Sequence, residues 1–334
     1  MFLNCKRLLK VLFVAVVLFC NSAAADELCF YVNSSGKVKQ VNSKKDIPGK
    51  YRKSARCVKA PGSSNLAAPQ DVELEGTTRH ENMASSVGRI HLRWPRKVEK
   101  IFGRTPQRAM ADAARAVSRA LKKGGWPIEL QRLDIEWQVV FLDENLPEHQ
   151  IPSYLVNNCH PGWMTPPANI YIVAQRAAAG CGGGRVSTSE ADARLAQVII
   201  HEMGHAVEYQ LLKDFNPLNR MRSEGFACWF EQYASDFSSV IKRGRVKKFY
   251  MALAREAIKT SPGSFYFRGS AYDYARASLY FHAVVSKKRI RGLMDVYRLI
   301  NSDRIPFFQA VDKRLNWSRK KLENEARKIA LGPF

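Results

Sequence analysis

"VIIHEMGHAVEYQ", residues 198–210, sets two histidines four positions apart with a glutamate directly after the first. On a helix of about 3.6 residues per turn, His201 and His205 lie about 40° apart on one face. Two imidazoles one turn apart can share a single metal ion. Glu202 points about 100° away, so it sits beside that ion, where its carboxylate can take a proton from water. Gly204 presents no side chain next to the second histidine, so a neighbouring element can pack closely there. Val198, Ile199 and Ile200 are apolar and would anchor the segment in a core. The bland alternative is a structural helix that carries these polar residues by chance.

A catalytic metal needs a third ligand. Eighteen residues separate His205 from Glu224, which stands in "SEGFACWFEQYAS". Ser223 is placed to cap a second helix with Glu224 in its first turn, and Asn216-Pro217 marks a reversal between the two. Two histidines and one glutamate leave one tetrahedral position open, the pattern of catalytic and not of structural zinc.

HEMGH, eighteen residues and EGFA together resemble the glutamate-ligand zincins, the gluzincin metallopeptidases, at the spacing of their aminopeptidase-N-like branch. The resemblance covers residues 88–334 and implies an α+β zincin-like domain, a small mixed sheet plus helices with a C-terminal helical part. It implies Zn2+ held by His201, His205 and Glu224, Glu202 as general base on a water activated at the zinc, and a peptide or protein substrate. It implies that strand Ile170–Val173 is the edge that pairs with an extended peptide. "GSAYDYARASLYFHAVV", residues 269–285, resembles the helix that presents a tyrosine to the oxyanion. Tyr272 and Tyr274 are the candidates, Tyr272 slightly preferred, with aromatic packing as the alternative for both. His80, His91, His149, His160 and His282 read as surface or core residues.

The chain also departs from that pattern. The Gly-x-Met-Glu-Asn strand that grips a substrate amine has no counterpart in "NIYIVAQRAAAGCGGG", residues 169–184. Cys228 stands four residues after Glu224, where thermolysin-like members carry the aspartate that orients a zinc histidine. Cys228 reads as buried packing or as a neighbour of the metal. Glu231 reads as a rival ligand or as a partner of one.

The remaining sequence sets the context. Lys6, Arg7 and Lys10, an apolar run from Val11 to Phe19, and Ala23-Ala24-Ala25 predict an export signal over residues 1–25. That run is too short to span a bilayer, so no transmembrane span is expected after cleavage. The expected location is periplasmic or secreted. Seven cysteines become five without Cys5 and Cys20, and an oxidising compartment favours the local pairs Cys29–Cys57 and Cys159–Cys181. Residues 26–60 predict a small disulfide-linked β module. It resembles a short N-terminal domain carried by many proteobacterial envelope proteins. Residues 61–86 read as a linker and 87–334 as the peptidase domain. Within the latter, strands are expected at Gly88–Trp94, Leu133–Leu142 and Asn169–Gln175. A helix is expected from a Thr105 cap to Lys123, and Ser187 with Glu190 predicts a capping box for the motif helix.

The net charge is +23, which favours acidic partners such as an envelope surface. No zinc finger, RNA-binding aromatic motif or basic zipper accompanies it, so nucleic acid is the weaker expectation. A catalytically inert zincin-fold binding or scaffolding protein of the envelope is the standing alternative to an enzyme.

Overall fold

The computed structural model describes residues 28–32, 38–41, 48–52, 56–58, 74, 77–143, 160–180, 186–212, 219–261, 265 and 267–332. The expected signal segment, the Cys159–Cys181 pair and His149 lie outside the described residues.

The described residues divide into two compact units, one within residues 28–58 and one within residues 74–332. In the first, β1 (Leu28–Val32), β2 (Val38–Val41) and β3 (Arg56–Val58) form an antiparallel sheet in the order β2-β1-β3. Cys29 and Cys57 stand directly opposite each other in the β1–β3 register. Directly opposed antiparallel positions have Cα atoms about 4.5–5.5 Å apart, a span that a disulfide can bridge.

The second unit is α+β, with a mixed sheet and a largely helical C-terminal part. Its strands are β4 (Thr78–Ser85), β5 (Gly88–Pro95), β6 (Ile135–Leu142), β7 (Gly162–Thr165) and β8 (Asn169–Val173). They run in the order β4-β5-β6-β8-β7. β5, β6 and β8 are parallel, and β4 and β7 are antiparallel to their neighbours at the two edges. β5 alternates as its sequence predicts, with Ile90, Leu92 and Trp94 buried. In β6, Trp137 and every residue from Val139 to Leu142 are buried, as in a strand covered on both faces. β4 falls inside the stretch read as a linker. It is a half-exposed edge strand whose polar sequence shows no apolar alternation.

α1 (Pro106–Lys123) carries the crossover from β5 to β6 and has the bounds its sequence predicts. Thr105 Oγ1 accepts from the Arg108 amide, and Gly124 closes the helix. α2 (Ile128–Gln131) and α3 (Ala174–Ala179) are short. α4 (Thr188–Leu212) carries the histidine motif, and its first turn is capped where the Glu190 amide donates to Ser187 Oγ. α5 (Arg220–Ala234), α6 (Arg245–Thr260), α7 (Ala271–Asp303, broken at Arg289), α8 (Phe307–Leu315) and α9 (Arg319–Leu331) complete the helical part.

α4 packs on α1, α3, α5 and β7, and α5 lies between α4 and α7. Trp126, Phe226, Trp229, Phe230, Phe281 and Tyr297 interlock around α5, with neighbouring ring centroids 5.4–6.5 Å apart. A Cβ at Gly204 would sit 3.3 Å from Ala227 Cα, so the close approach expected at this glycine is made by α5. Inside the contact, Arg222 Nε donates to Glu208 Oε1 at 2.9 Å and Tyr297 donates to the same oxygen at 2.5 Å. All three are buried.

Gly88 fixes the junction of β4, β5 and β6. Its φ is +114°, and a Cβ there would lie 2.0 Å from the Ile135 carbonyl oxygen. Gly88→Ala is therefore expected to destabilise the fold by at least about 2 kcal/mol, read as a lower urea midpoint. A midpoint equal to wild type would show that this junction can relax.

Candidate metal centre

α4 presents His201 and His205 on one face, and the α4–α5 contact brings Glu224 against both. Glu224 Oε2 lies 3.5 Å from His201 Nε2 and 3.4 Å from His205 Nε2. The two imidazoles are nearly perpendicular, with centroids 4.9 Å apart. Three ligands about 2.0–2.1 Å from a tetrahedral ion stand about 3.3 Å from one another. The two measured separations have that spacing, which is too long for a direct hydrogen bond of normal length. The donor set, two imidazole nitrogens and one carboxylate oxygen, suits zinc with one position left open. These residues thus form a cluster able to coordinate a metal ion, compatible with a metal-dependent hydrolase.

The opposite nitrogens of both rings are already engaged. His201 Nδ1 is 2.9 Å from Glu231 Oε2, and His205 Nδ1 is 3.1 Å from Ser223 Oγ. A proton held at Nδ1 by such a partner leaves the Nε2 lone pair facing the ligand position. Ser223 does not cap α5, which begins three residues earlier, and Glu224 is not in the first turn. The Ser223 hydroxyl meets His205 instead.

His201, Cys228 and Glu231 form a second group with ligand atoms near one another. It uses the Nδ1 face of His201, where the hydrogen bond to Glu231 already sits. Cys228 Sγ stands 3.9 Å away, and burial pushes its thiol up to about 11, so it is a neutral packed side chain. Glu231 is fully enclosed. Its Oε1 accepts from Gln197 at 2.6 Å, and its Oε2 accepts from Tyr250 at 3.0 Å. The carboxylate that orients His201 therefore comes seven residues after Glu224, not four.

Glu202 is buried beside the cluster, and its Oε2 has no hydrogen-bond partner. Burial pushes its carboxyl up to about 6. For Glu224 burial acts in the same direction, but the adjoining His201 and His205 outweigh it and hold that carboxyl well below the usual range.

β7 runs past this face of α4. A Cβ at Gly162 would lie 3.2 Å from Glu202 Oε1 and 3.0 Å from Val198 Cγ1. The sheet order corrects the expected edge strand. Ile170–Val173 is interior, paired with β6 and β7, and among the described residues the edge on the metal side is Gly162–Thr165. A short strand in a proline-rich stretch gave no periodicity to read. His160, just before β7, feels the charges of Glu224, Arg220 and His201, so it borders the cluster, which its sequence surroundings did not signal.

The two tyrosines are separated. Tyr272 is 46% exposed, whereas Tyr274 is half-buried with its hydroxyl 3.0 Å from Arg220 Nη2. Arg220 Nε is 3.6 Å from Glu224 Oε1, and its guanidinium lies over the Phe267 ring. Burial and the nearby Glu224 charge raise the Tyr274 phenol above its ordinary range. An arginine only donates, so Tyr274 accepts from it and directs its own proton elsewhere.

No protein-family model matches this chain, and no curated protein matches it. Among the described residues no helix is long and apolar enough to cross a membrane.

Zinc titration is expected to give one ion per chain, with His205→Ala abolishing tight binding. Glu231→Gln should weaken zinc affinity about 10–100-fold, measured by competition with a chromogenic chelator. Unchanged affinity in Glu231→Gln would remove it from the metal's support.

Proposed function

We propose that this chain is an exported zinc metallopeptidase of the gluzincin type that hydrolyses peptide bonds. The observation that carries it is the approach of Glu224 Oε2 to both histidine Nε2 atoms at 3.4–3.5 Å, with the unpartnered Glu202 Oε2 beside them. Zinc bound by His201, His205 and Glu224 would polarise a substrate carbonyl and acidify a water.

The chain's own groups supply the rest. Glu202 takes the water proton at its free Oε2 and passes it to the departing amine, a role suited to a carboxyl raised towards neutrality. Tyr274, with its oxygen held by Arg220, donates its proton towards the developing oxyanion. The outer edge of β7 offers main-chain groups to a substrate in extended conformation. Export rests on residues 1–25 and fits local disulfides.

The inert-scaffold alternative drew on the absent orienting aspartate. Glu231 fills that place, which weighs against this alternative. An amino-terminal exopeptidase finds no support, since no glutamate matches the amine-gripping motif.

A digest of a broad peptide library, with and without chelator, tests the reaction. Cleavage that survives metal removal would defeat the proposal. Glu202→Gln should retain zinc and lose about 10²–10⁴ in kcat. Tyr274→Phe should lower kcat about 10²-fold with little change in KM, and Tyr272→Phe should leave both near wild type. The reverse order would return the oxyanion role to Tyr272.

A further inference from the structure

Charge is unevenly distributed. Residues 242–334 carry 22 lysines and arginines against 7 acidic residues, so +15 of the net +23 rests there. Part of it lies on two adjoining helices. α9 buries Leu322, Ala326 and Ala330 and exposes Lys320, Lys321 and Lys328. α7 exposes Lys287, Lys288, Arg289 and Arg291 where it breaks. Arg289 adopts φ 59° and ψ −178°, a backbone conformation that side chains other than glycine rarely hold.

The two basic segments adjoin. Lys328 Nζ donates to Glu325 Oε1 at 2.7 Å, and Lys287 Nζ lies 4.0 Å from Glu325 Oε2. The Lys321 charge also reaches this carboxylate. One carboxylate among three ammonium groups leaves a surplus of positive charge. A groove of about 500 Å³ runs along the helix between Ser318 and Lys328. Leu331, at the end of α9, is 48% exposed. It is fixed there because Arg255 of α6 donates to the carbonyl oxygens of Ala330 and Gly332 at 2.9 and 2.8 Å. α6, packed on both helices, adds exposed Lys247, Lys248 and Phe249.

Exposed Leu331 and Phe249 add large apolar side chains to this basic surface. Lysines around an exposed aliphatic residue suit the surface of an anionic bilayer: the ammonium groups meet the negative potential and the apolar group enters the headgroup layer. The reading rests on the export proposed above, which would place the chain beside membranes and favours a bilayer over nucleic acid as the anionic partner. We propose that the joined basic face of α7 and α9 docks this protein on an anionic lipid bilayer. Lys287 is thirteen residues beyond Tyr274 on α7, about 20 Å along the helix, so docking leaves the metal cluster open.

The test is sedimentation of the exported, processed chain with phosphatidylcholine vesicles, plain or with about one quarter phosphatidylglycerol. Binding is expected only with the anionic lipid and should weaken as salt rises. Lys287→Glu, Lys321→Glu and Lys328→Glu together should lower affinity about 100-fold or more. Leu331→Ser should lower it about tenfold. The same charge change at exposed Arg89, Arg119 and Lys122 serves as the control, and unchanged circular dichroism and zinc content verify folding. No binding to anionic vesicles at low salt would overturn the proposal, as would equal loss in the control. Binding to duplex DNA with vesicles left unbound would overturn it too.

Discussion

The close seating of α5 on α4 is the constraint from which the rest follows. Neither helix alone holds a three-ligand site, because the histidines stand on one and the glutamate on the other. A glycine at 204 lets the backbones approach, with Ala227 Cα only 3.3 Å from where a Cβ would be. The same contact encloses the Glu208–Arg222 ion pair and the Tyr297 hydroxyl. Removing one partner of such a pair leaves a buried charge uncompensated, at a cost of about 3–5 kcal/mol. The pair therefore locks rotation and register of α5 against α4, and with them the position of Glu224.

A second set of polar contacts ties this helix pair to its surroundings. Asp112 on α1 accepts from Ser238 Oγ at 2.6 Å and Ser239 Oγ at 2.7 Å, fixing the chain that leaves α5. His282 on α7 meets Gln232 Oε1 at 2.9 Å, and burial, helped by Lys247, lowers its pKa to about 3, so it stays neutral. Glu231 gathers Gln197 and His201 from α4 and Tyr250 from α6. Each of these groups is satisfied where it is buried, which is how a mostly apolar core carries a polar site without losing stability.

Much of this was legible in the sequence where one local rule acted alone. The bounds of α1 follow from a Thr-Pro start and a Gly-Gly stop, and the face shared by His201 and His205 follows from helical spacing. Glu224 was legible through its spacing from the histidines. Tertiary choices were not. Tyr272 and Tyr274 are two residues apart, about 200° around a helix, so only one can face the cluster, and the sequence favoured Tyr272, which is the exposed one. Glu231 could be read as ligand or support until the Nδ1 face of His201 was seen to be its partner. β4 and β7 are edge strands, one polar and one four residues long, and edges lack the apolar alternation that betrays a strand.

The shortness of β7 limits what could lie along it. Four residues span about 13 Å, and only alternate main-chain groups of an edge strand face outward. A guest strand there would be gripped at a few backbone points, with little of its side-chain identity read by the sheet. It would also have to arrive already extended and unpaired. Helices and the interior strands of folded proteins cannot present themselves that way, whereas tails, loops and partly unfolded chains can. On the proposed reading, such an edge would select by the conformational state of the polypeptide before it selects by sequence.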